Sequence, residues 1–480
     1  MGEQNQFFRP VGEVCQREVM SCQHTDRLVA AAQTMSARNI SSMIVLDGDT
    51  PCGIFTDRDL RNKVVALGRD PQQLSVADIM HSPLITISEQ AAVYDALYRM
   101  SRTGIHRLIV VNADGELAGI ITDSDILRLQ SHSPHQLVLD IEKAGSVDAL
   151  AELHQRIVEL VVHLSGSGIP IRDAVKLIAH LNDQILIRLI TLLREGEFAD
   201  LDGRFAFVVM GSEGRGEQTL ATDQDNAIIY ADDLEPAALS RLEAFSEKLI
   251  EQLIAIGVPP CPGGIMARNP AWRRSLRQWK QELSRWLSAT TPENVMTGSM
   301  FMDLRLLHGD PELVEQLRAH AYAHLAADQV FLMRMAQNMT NFAPPLNWLG
   351  RIKSEKSGPH RGAIDLKKAG IFAITDGIKA LAMEARQLEG STHDRIEALL
   401  AGEVLRPELA RDLVASFDFL VSMRLRSQVG DLRAGRQPDN YLALDSLNAI
   451  EQGELRLALE QVGKFQTFIR HHFRLHLLRG

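Results

Sequence analysis

A repeated pattern in the first quarter of this 480-residue chain constrains its fold more than any other feature. One copy occupies residues 18–60 and the other residues 78–127. Each copy has an alanine-containing apolar stretch, at 28–35 or 91–100, and then two short apolar runs separated by a Gly/Asp turn. Such stretches at helical spacing predict a helix, and short apolar runs between turn residues predict strands. The repeat therefore predicts two similar units, each with a helix followed by two strands.

The two copies close with GIFTDRD at 53–59 and GIITDSD at 119–125. These residues resemble a tandem of cystathionine β-synthase (CBS) domains, a family that folds back to back and binds adenine nucleotides between the copies. The resemblance implies a homodimer through the pair, and contacts to the ribose and phosphate of AMP, ADP or ATP from a threonine and an aspartate of each copy. Those residues are Thr56, Asp59, Thr122 and Asp125. A hydroxyl and a carboxylate at a strand-to-helix junction suit a ribose diol. Thr-x-x-Asp is also a helix-capping motif that needs no ligand.

A second motif, FAFVVMGSEGRGEQTLATDQDNAIIY, occupies residues 205–230. The run 205–210 is short and apolar and is followed by glycine, which predicts a buried strand and a tight turn. Gly211 permits the turn, and the Ser212 hydroxyl with neighbouring N–H groups can meet phosphate oxygens at a helix start. The pattern therefore predicts an anion-binding turn.

Charged residues follow this turn. Arg215 lies one helical turn from Ser212, so we expect it to reach the same anion, or otherwise to pair with Glu217 or Asp223. Asp223 and Asp225 are two residues apart, and on a strand that spacing places both carboxylates on one face. Carboxylate oxygens on one face can converge on one or two hard cations.

GSEGRGEQ followed by TDQD resembles the nucleotidyltransferase signature of the DNA polymerase β superfamily, in the branch similar to the protein-PII uridylyltransferases. Cys-Pro-Gly-Gly followed by Asn-Pro-x-Trp, at 261–272, extends the resemblance. It implies Gly211 and Ser212 on the triphosphate of an NTP, and Asp223 and Asp225 on Mg²⁺. It also implies in-line attack on the α-phosphate with pyrophosphate leaving, and a third carboxylate from a later strand.

The best candidate for that third carboxylate is Asp303, in the segment SMFMDLRLL at 299–307. Read as a strand, this segment places Phe301, Asp303 and Arg305 on one face. A charge inside an apolar strand is costly unless it is paired or metal-bound, so Asp303 is either a metal ligand and candidate base or a buried partner of an arginine. Arg305 is then expected near the phosphates.

From about residue 311 repeated amphipathic stretches predict an antiparallel helical bundle. Lys367, just before an apolar helix, either meets the triphosphate or an acidic partner, or is a solvated residue at a helix start. His393 and Asp394 do not indicate a phosphohydrolase, because Ser391 and Asp394 fit a helix N-cap. The chain has no room for the hydrolase and ACT modules of full uridylyltransferases, so a reversible glutamine-sensing enzyme is not expected.

The composition narrows the classes of protein to consider. A formal net charge of −10 without a basic tract argues against nucleic-acid and anionic-membrane binding. Four cysteines without metal-ligand spacing predict a reducing cytoplasm, with neither a disulfide framework nor zinc. Residues 1–10 contain no apolar signal core, and no apolar run is long enough to span a bilayer. A soluble cytoplasmic protein is expected.

Together these patterns predict an α+β, mostly α multidomain chain with four parts. The tandem CBS domains are expected at 1–132 (copies at about 13–70 and 74–130), a helical linker at 137–196, a polymerase-β-like mixed sheet with helices at 197–310, and the bundle at 311–480. The predicted function is Mg²⁺-dependent transfer of a nucleoside monophosphate to a hydroxyl, on an acceptor protein in signal transduction, regulated by adenine nucleotides. The alternative is a catalytically silent module that senses nucleotides and binds a partner.

Overall fold

A computed structural model describes residues 9–477 except 18, 39, 49, 124, 127–133, 166–168, 221–222, 328, 341 and 349. The end of the second predicted repeat copy, 127–130, lies outside the described residues. The chain forms two compact units, Met1–Ser133 and Pro134–Gly480. In the part of the chain that is described, no helix has the length and apolar character needed to cross a membrane.

The first unit contains the same three-stranded sheet twice. In each sheet the first strand pairs in parallel with the second, and the second pairs antiparallel with the third. The elements are β1 Ser21–Gln23, α1 Leu28–Arg38, β2 Ser42–Asp47, β3 Thr50–Thr56, β4 Thr86–Ser88, α2 Val93–Thr103, β5 Arg107–Val111 and β6 Leu117–Thr122. An apolar cluster joins Ile44 of β2 to Ile109 and Ile120 of β5 and β6, so the two copies pack on each other. The predicted repeat and its helix–strand–strand order are confirmed.

Three helices open the second unit: α3 Pro134–Lys143, α4 Val147–Leu164 and α5 Ile171–Glu195. Pro170 stands at the N-cap of α5. One face of α5 is buried through nearly its whole length, and it packs beside the sheet that follows. These helices therefore support the sheet.

A four-stranded mixed sheet lies at the centre of the second unit. Its strands are β7 Phe205–Val209, β8 Asn226–Tyr230, β9 Arg273–Ser275 and β10 Arg305–Gly309, in the order β10-β7-β8-β9. β7 is antiparallel to both neighbours, and β8 is parallel to β9. Every residue of β7 and β8 is buried, which explains why β7 is an uninterrupted apolar run and why β8 is apolar after Asn226. The helices around the sheet are α6 Pro236–Ile256, α7 Leu276–Ser288 and α8 Pro292–Phe301.

The prediction of a strand at 299–307 is wrong in its first half. Residues up to Phe301 belong to helix α8, and the strand begins only at Arg305. Thr291 caps that helix by accepting a hydrogen bond from the Asn294 backbone, and Pro292 occupies its first turn. Asp303 therefore lies in the connection between helix and strand rather than on a strand.

The remainder of the unit is a helical bundle, as predicted. Its helices are α9 Pro311–Ala327, α10 Val330–Thr340, α11 Phe372–Glu384, α12 Thr392–Ala401, α13 Pro407–Arg433 and α14 Ala449–His472. A short antiparallel pair, β11 Ala363–Asp365 with β12 Tyr441–Ala443, interrupts the helices and was not expected. One apolar core runs from Val208 and Ala227 of the sheet to Leu381 of the bundle, so sheet and bundle fold as one body.

Candidate functional site

The sharp turn after β7 depends on two glycines. Residues Gly211–Gly214 form a single helical turn, and Gly211 has a φ of +57°, a left-handed conformation that favours glycine. A Cβ on Gly214 would lie 2.0 Å from the carbonyl oxygen of Asp303, so any side chain there would displace backbone. The predicted Gly-Ser turn opening a helix is confirmed, although the helix is only one turn long.

The two aspartates approach this turn from the neighbouring segment. Asp223 and Asp225 lie just before β8 rather than on it, and the Asp225 carbonyl accepts a hydrogen bond of 2.8 Å from the Met210 backbone. Asp225 Oδ2 lies 3.0 Å from the position that a Cβ on Gly211 would occupy. Asp223 is exposed, whereas Asp225 is half-buried. Burial raises the pKa of Asp225, while a hydrogen bond with Cys261 and the charge of Lys367 oppose that shift.

The turn and the aspartates open into a cavity of about 460 Å³. Its walls come from the turn, from helices α5 and α8, and from helices α11 to α13 of the bundle. Charged and polar residues dominate the wall: Arg172, Lys176, Ser212, Arg215, Glu217, Asp223, Asp225, Ser299, Asp303, Lys367, Thr375, Asp376, Lys379, Ser391, His393, Asp418, Arg424, Asp439 and Asn440. The cavity thus combines cations that suit phosphates with carboxylates that suit a metal ion.

Asp303 lines this cavity, but three cations hold its carboxylate. Oδ2 lies 2.6 Å from Arg215 Nη1 and 2.7 Å from Lys379 Nζ, and Oδ1 lies 2.7 Å from Arg395 Nη1. Burial alone would raise the pKa of Asp303, but these three cations hold it well below its usual range. Of the two roles considered, the geometry is that of a buried partner of arginine. A carboxylate so strongly stabilised in its charged form is a poor base.

Arg215 lines the cavity and forms an ion pair that the sequence left open as an alternative, whereas Arg305 does not line the cavity. Arg215 pairs with Glu217 at 2.7 Å as well as with Asp303, which matches the alternative of an internal ion pair. Arg305 binds both carboxylate oxygens of Asp183 at 2.9 Å and donates to the carbonyls of Glu213 and Gly214. It therefore holds the turn from behind and is not among the residues that line the cavity.

Lys367 and Arg424 face the aspartates from the bundle side. Lys367 begins a short π-helical turn, is exposed at the cavity wall, and has its pKa lowered by partial burial and by the charge of Arg424. Burial lowers the pKa of Arg424 to about 10, and its Nε donates to Asn440 Oδ1 at 2.7 Å. Arg424 was not predicted, because nothing near it in sequence marks it within a long amphipathic helix.

His393 was also missed. Ser391 and Asp394 do form the predicted capping box at the start of α12. His393 is nevertheless buried, lines the cavity, and has its Nε2 2.7 Å from Asp418 Oδ1. The aspartate that pairs with His393 is Asp418, whereas the adjacent Asp394 belongs to the capping box.

In the first unit both Thr-x-x-Asp sequences are capping boxes. Thr56 Oγ1 lies 2.8 Å from Asp59 Oδ2, and Thr122 Oγ1 lies 2.6 Å from Asp125 Oδ2. The other oxygen of Asp59 contacts His81 and Lys63, and that of Asp125 accepts from Gln16. Both aspartates are buried, and both oxygens of each carboxylate contact side chains of the same unit. Their predicted contacts to nucleotide remain a prediction.

Three family models match this chain. The model described as "CBS domain" matches residues 11–66 and 76–132. The model described as "Putative nucleotidyltransferase DUF294" matches 155–293, and "Putative nucleotidyltransferase substrate binding domain" matches 329–473. The chain belongs to the DUF294 nucleotidyltransferase family. In this member the family's transferase and substrate-binding domains follow a CBS pair.

Curated relatives of this DUF294 protein match about a quarter of it. An uncharacterized protein of Methanopyrus kandleri is 39% identical over 134 residues, which are 28% of this chain and 66% of that protein. Hypoxic response protein 1 of Mycobacterium tuberculosis is 29% identical over 120 residues, 25% of this chain and 81% of that protein. The chain thus spans just under two thirds of the Methanopyrus relative.

Two solved structures show likenesses of similar extent. An uncharacterized conserved protein from Pyrococcus horikoshii has a TM-score of 0.24 and 23% identity, covering 25% of this chain and 92% of that one. A CBS domain protein from Pyrobaculum aerophilum, complexed with AMP, has a TM-score of 0.23 and 23% identity, covering 25% and 98%.

The donor set of the DUF294 site fits a magnesium ion held by two carboxylates. Asp223 and Asp225 face the same cavity, and Mg²⁺ in nucleotide enzymes is commonly held by one or two carboxylates, with phosphate oxygens and water completing its shell. Asp303 does not fit as a third ligand, since both its oxygens are already held by cations. Among the described residues no cluster of three or more His, Cys, Asp or Glu is placed to bind a metal.

Proposed function

We propose that the protein is a Mg²⁺-dependent nucleotidyltransferase, similar to protein-PII uridylyltransferase, that moves a nucleoside monophosphate from an NTP to a hydroxyl group of an acceptor protein. One observation carries this proposal: the Gly-Ser turn and the pair Asp223 and Asp225 line the same cavity, with the Asp225 carboxylate against Gly211. Backbone N–H groups at such a turn bind phosphate, and paired carboxylates bind the metal that accompanies it.

In this mechanism the residues of the chain mainly bind and orient. Ser212 and the turn hold the triphosphate, and Lys367 with Arg424 neutralise its charge from the bundle side. Asp223 and Asp225 would hold Mg²⁺, which stabilises negative charge on the reacting phosphate and on the leaving group. The acceptor oxygen forms a bond to the α-phosphorus, the bond to pyrophosphate breaks, and the hydroxyl proton passes to water. Asp303 and Arg215 keep the turn in place.

The experiment is transfer from α-³²P-labelled NTPs, each nucleotide in turn, with Mg²⁺ and a dialysed lysate of the source cell. Asp223→Asn and Asp225→Asn should abolish label transfer and pyrophosphate release. Asp233→Asn is the matched control, because Asp233 is exposed a few residues beyond the other end of β8 and does not line the cavity. A labelled protein band would identify base and acceptor together.

Nucleotide binding without pyrophosphate release in wild type would instead support the silent sensing module. Undiminished transfer by folded Asp223→Asn and Asp225→Asn proteins would exclude the proposed site.

The CBS pair supplies the proposed regulation. We propose that AMP, ADP or ATP binds at the strand-to-helix junctions at Thr56 and Thr122, and that binding changes the rate of nucleotidyl transfer. Calorimetric titration of each nucleotide into the protein tests binding, and transfer assays at saturating nucleotide test the effect. No heat with any adenine nucleotide would exclude this role.

A homodimer through the CBS pair belongs to the same proposal. Tyr94, Leu97 and Tyr98 are exposed on one side of α2, an apolar surface that a second copy could cover. Light scattering should give the mass of a dimer, and Tyr94→Glu with Tyr98→Glu should give a monomer. A monomeric wild-type protein would contradict the proposal.

Cytoplasmic location is likewise proposed, because all four cysteines are free thiols.

A further inference from the structure

A second, smaller cavity of about 80 Å³ lies behind the catalytic turn. Apolar side chains of helices α4, α5 and α6 form much of its wall. Polar residues complete the wall: His154 of α4, Asn182 of α5, and Glu213, Gln218, Thr219, Gln224 and Asn226. A water molecule occupies about 30 Å³ in the liquid, so the cavity holds two or three particles of that size.

Three polar atoms in this cavity have no hydrogen-bond partner: His154 Nδ1, Gln218 Oε1 and Gln224 Oε1. Gln218 is 4% exposed and Gln224 is 2% exposed. Leaving a buried polar atom unpaired costs about 1–3 kcal/mol, so three in one small cavity indicate a polar guest. Burial lowers the pKa of His154, so its ring is neutral and one nitrogen can accept a hydrogen bond.

The unpaired oxygens need a guest that donates hydrogen bonds or carries positive charge. The unpaired atoms of Gln218 and Gln224 are side-chain carbonyl oxygens, which only accept hydrogen bonds. The Gln224 amide nitrogen already donates to the Val258 carbonyl at 3.0 Å. The carboxyl of Glu213 lines the same space; burial and the charges of Asp183 and Asp225 raise its pKa to about 8, while the charge of Arg305 opposes that shift. A cation held by the two carbonyl oxygens would favour the charged form of Glu213, and the enclosed volume allows one ion with a water molecule.

The position of the cavity gives such an ion a role. Gln224 lies between Asp223 and Asp225, and alternate side chains of an extended segment point to opposite sides. The two aspartates therefore line the large cavity while Gln224 lines the small one. Glu213, in the turn, lines the small cavity as well. A guest bound there contacts both segments that form the metal site.

We propose that this small cavity binds a monovalent cation of the size of K⁺ or NH₄⁺, which orders the segment that carries Asp223 and Asp225. The site is distinct from the Mg²⁺ site, and it does not depend on the transferase activity. The ion joins the turn to the aspartate segment through the oxygens of Glu213, Gln218 and Gln224.

Thermal unfolding of the full-length protein tests the proposal. It is followed in KCl, NH₄Cl and choline chloride at equal ionic strength, with MgCl₂ constant. At tenfold excess over the dissociation constant, K⁺ or NH₄⁺ should raise the Tm by about 2 °C, with saturation. Choline is too large to enter the cavity, so choline chloride should not raise the Tm. The preferred ion is the one that reaches half of its maximal Tm shift at the lower concentration.

Gln224→Leu should abolish the cation-dependent shift, and Gln218→Leu is the second variant if that protein does not fold. Gln428→Leu is a matched control: Gln428 is also buried, donates its amide nitrogen to a backbone carbonyl, and leaves Oε1 unpaired, but lies outside this cavity. Asp223→Asn should keep the shift, which separates this site from the Mg²⁺ site. Equal Tm values in all three salts would overturn the proposal.

Crystals grown in RbCl give a direct reading. An anomalous peak between Gln218 and Gln224 is expected. Water alone in the cavity, with no anomalous peak, would overturn the proposal even if transferase activity is found.

Discussion

Replacing Asp303 by asparagine removes the negative charge that Arg215, Lys379 and Arg395 share. The Asp303 side chain is 0% exposed. The side chains of Lys379 and Arg395 are each 3% exposed, and the Arg215 side chain is 11% exposed. Removing one partner of a buried ion pair costs about 3–5 kcal/mol, because the other charge stays buried and uncompensated. Over the roughly 350 residues of the second unit, that loss corresponds to a Tm about 4–7 °C lower.

Tryptophan fluorescence during urea denaturation measures this loss, because the four tryptophans of the chain all lie in the second unit. Asp445→Asn, at an exposed position in the same unit, is the control and should change the free energy of unfolding by less than about 0.5 kcal/mol. A second variant, Lys379→Met, should lose stability alone but cost less when combined with Asp303→Asn. If the free energy of unfolding of Asp303→Asn lies within about 1 kcal/mol of the wild-type value, Asp303 is not needed to compensate the charges of the three cations.

Three other substitutions test separate parts of the structure. Gly214→Ala should lower the free energy of unfolding by at least about 1–3 kcal/mol in urea, since the new methyl group meets the Asp303 carbonyl; unchanged stability would contradict the close approach. Burial and Arg194 lower the pKa of His308, so the unfolded state takes up its proton first and stability falls as pH drops below about 6.5. His308→Gln should reduce the loss between pH 7.5 and 5.5, and an equal loss would refute this. Asp59→Asn should lower the calorimetric Tm of the first unit, because a buried carboxylate bound by lysine and histidine is removed; an unchanged Tm would show that these contacts contribute nothing.

The parts that sequence reasoning predicted are those encoded locally. The repeat, the strand β7 and the turn at Gly211 each depend on residues that are neighbours in the chain, so apolar spacing and turn chemistry indicate them directly. The capping box at Ser391 is equally local. The same reasoning failed at 299–307, where an apolar run with one charge suits either a strand or the end of a helix. The helix start at Thr291 and Pro292 was the signal that decides between them.

The walls of the cavity could not be predicted in this way. Asp303 meets Arg215 from 88 residues away and Arg395 from 92 residues away. No periodicity within a helix shows which of its polar residues faces a distant turn. Arg305 illustrates the same limit, since its partner Asp183 lies 122 residues earlier in the middle of an amphipathic helix. Tertiary packing decides these pairs, and local periodicity and residue spacing do not show which distant residues it brings together.

The four-residue ion cluster around Asp303 also bears on how this protein can change over evolutionary time. Arg215 and Asp303 come from the transferase half, whereas Lys379 and Arg395 come from the bundle. A bundle acquired from another gene would leave Asp303 without two of its cations unless it carried equivalents at both places. Exchange of the bundle between members of the family is therefore constrained by charge at this junction. Sequences in which Asp303 is replaced should show neutral residues at the positions of Lys379 and Arg395.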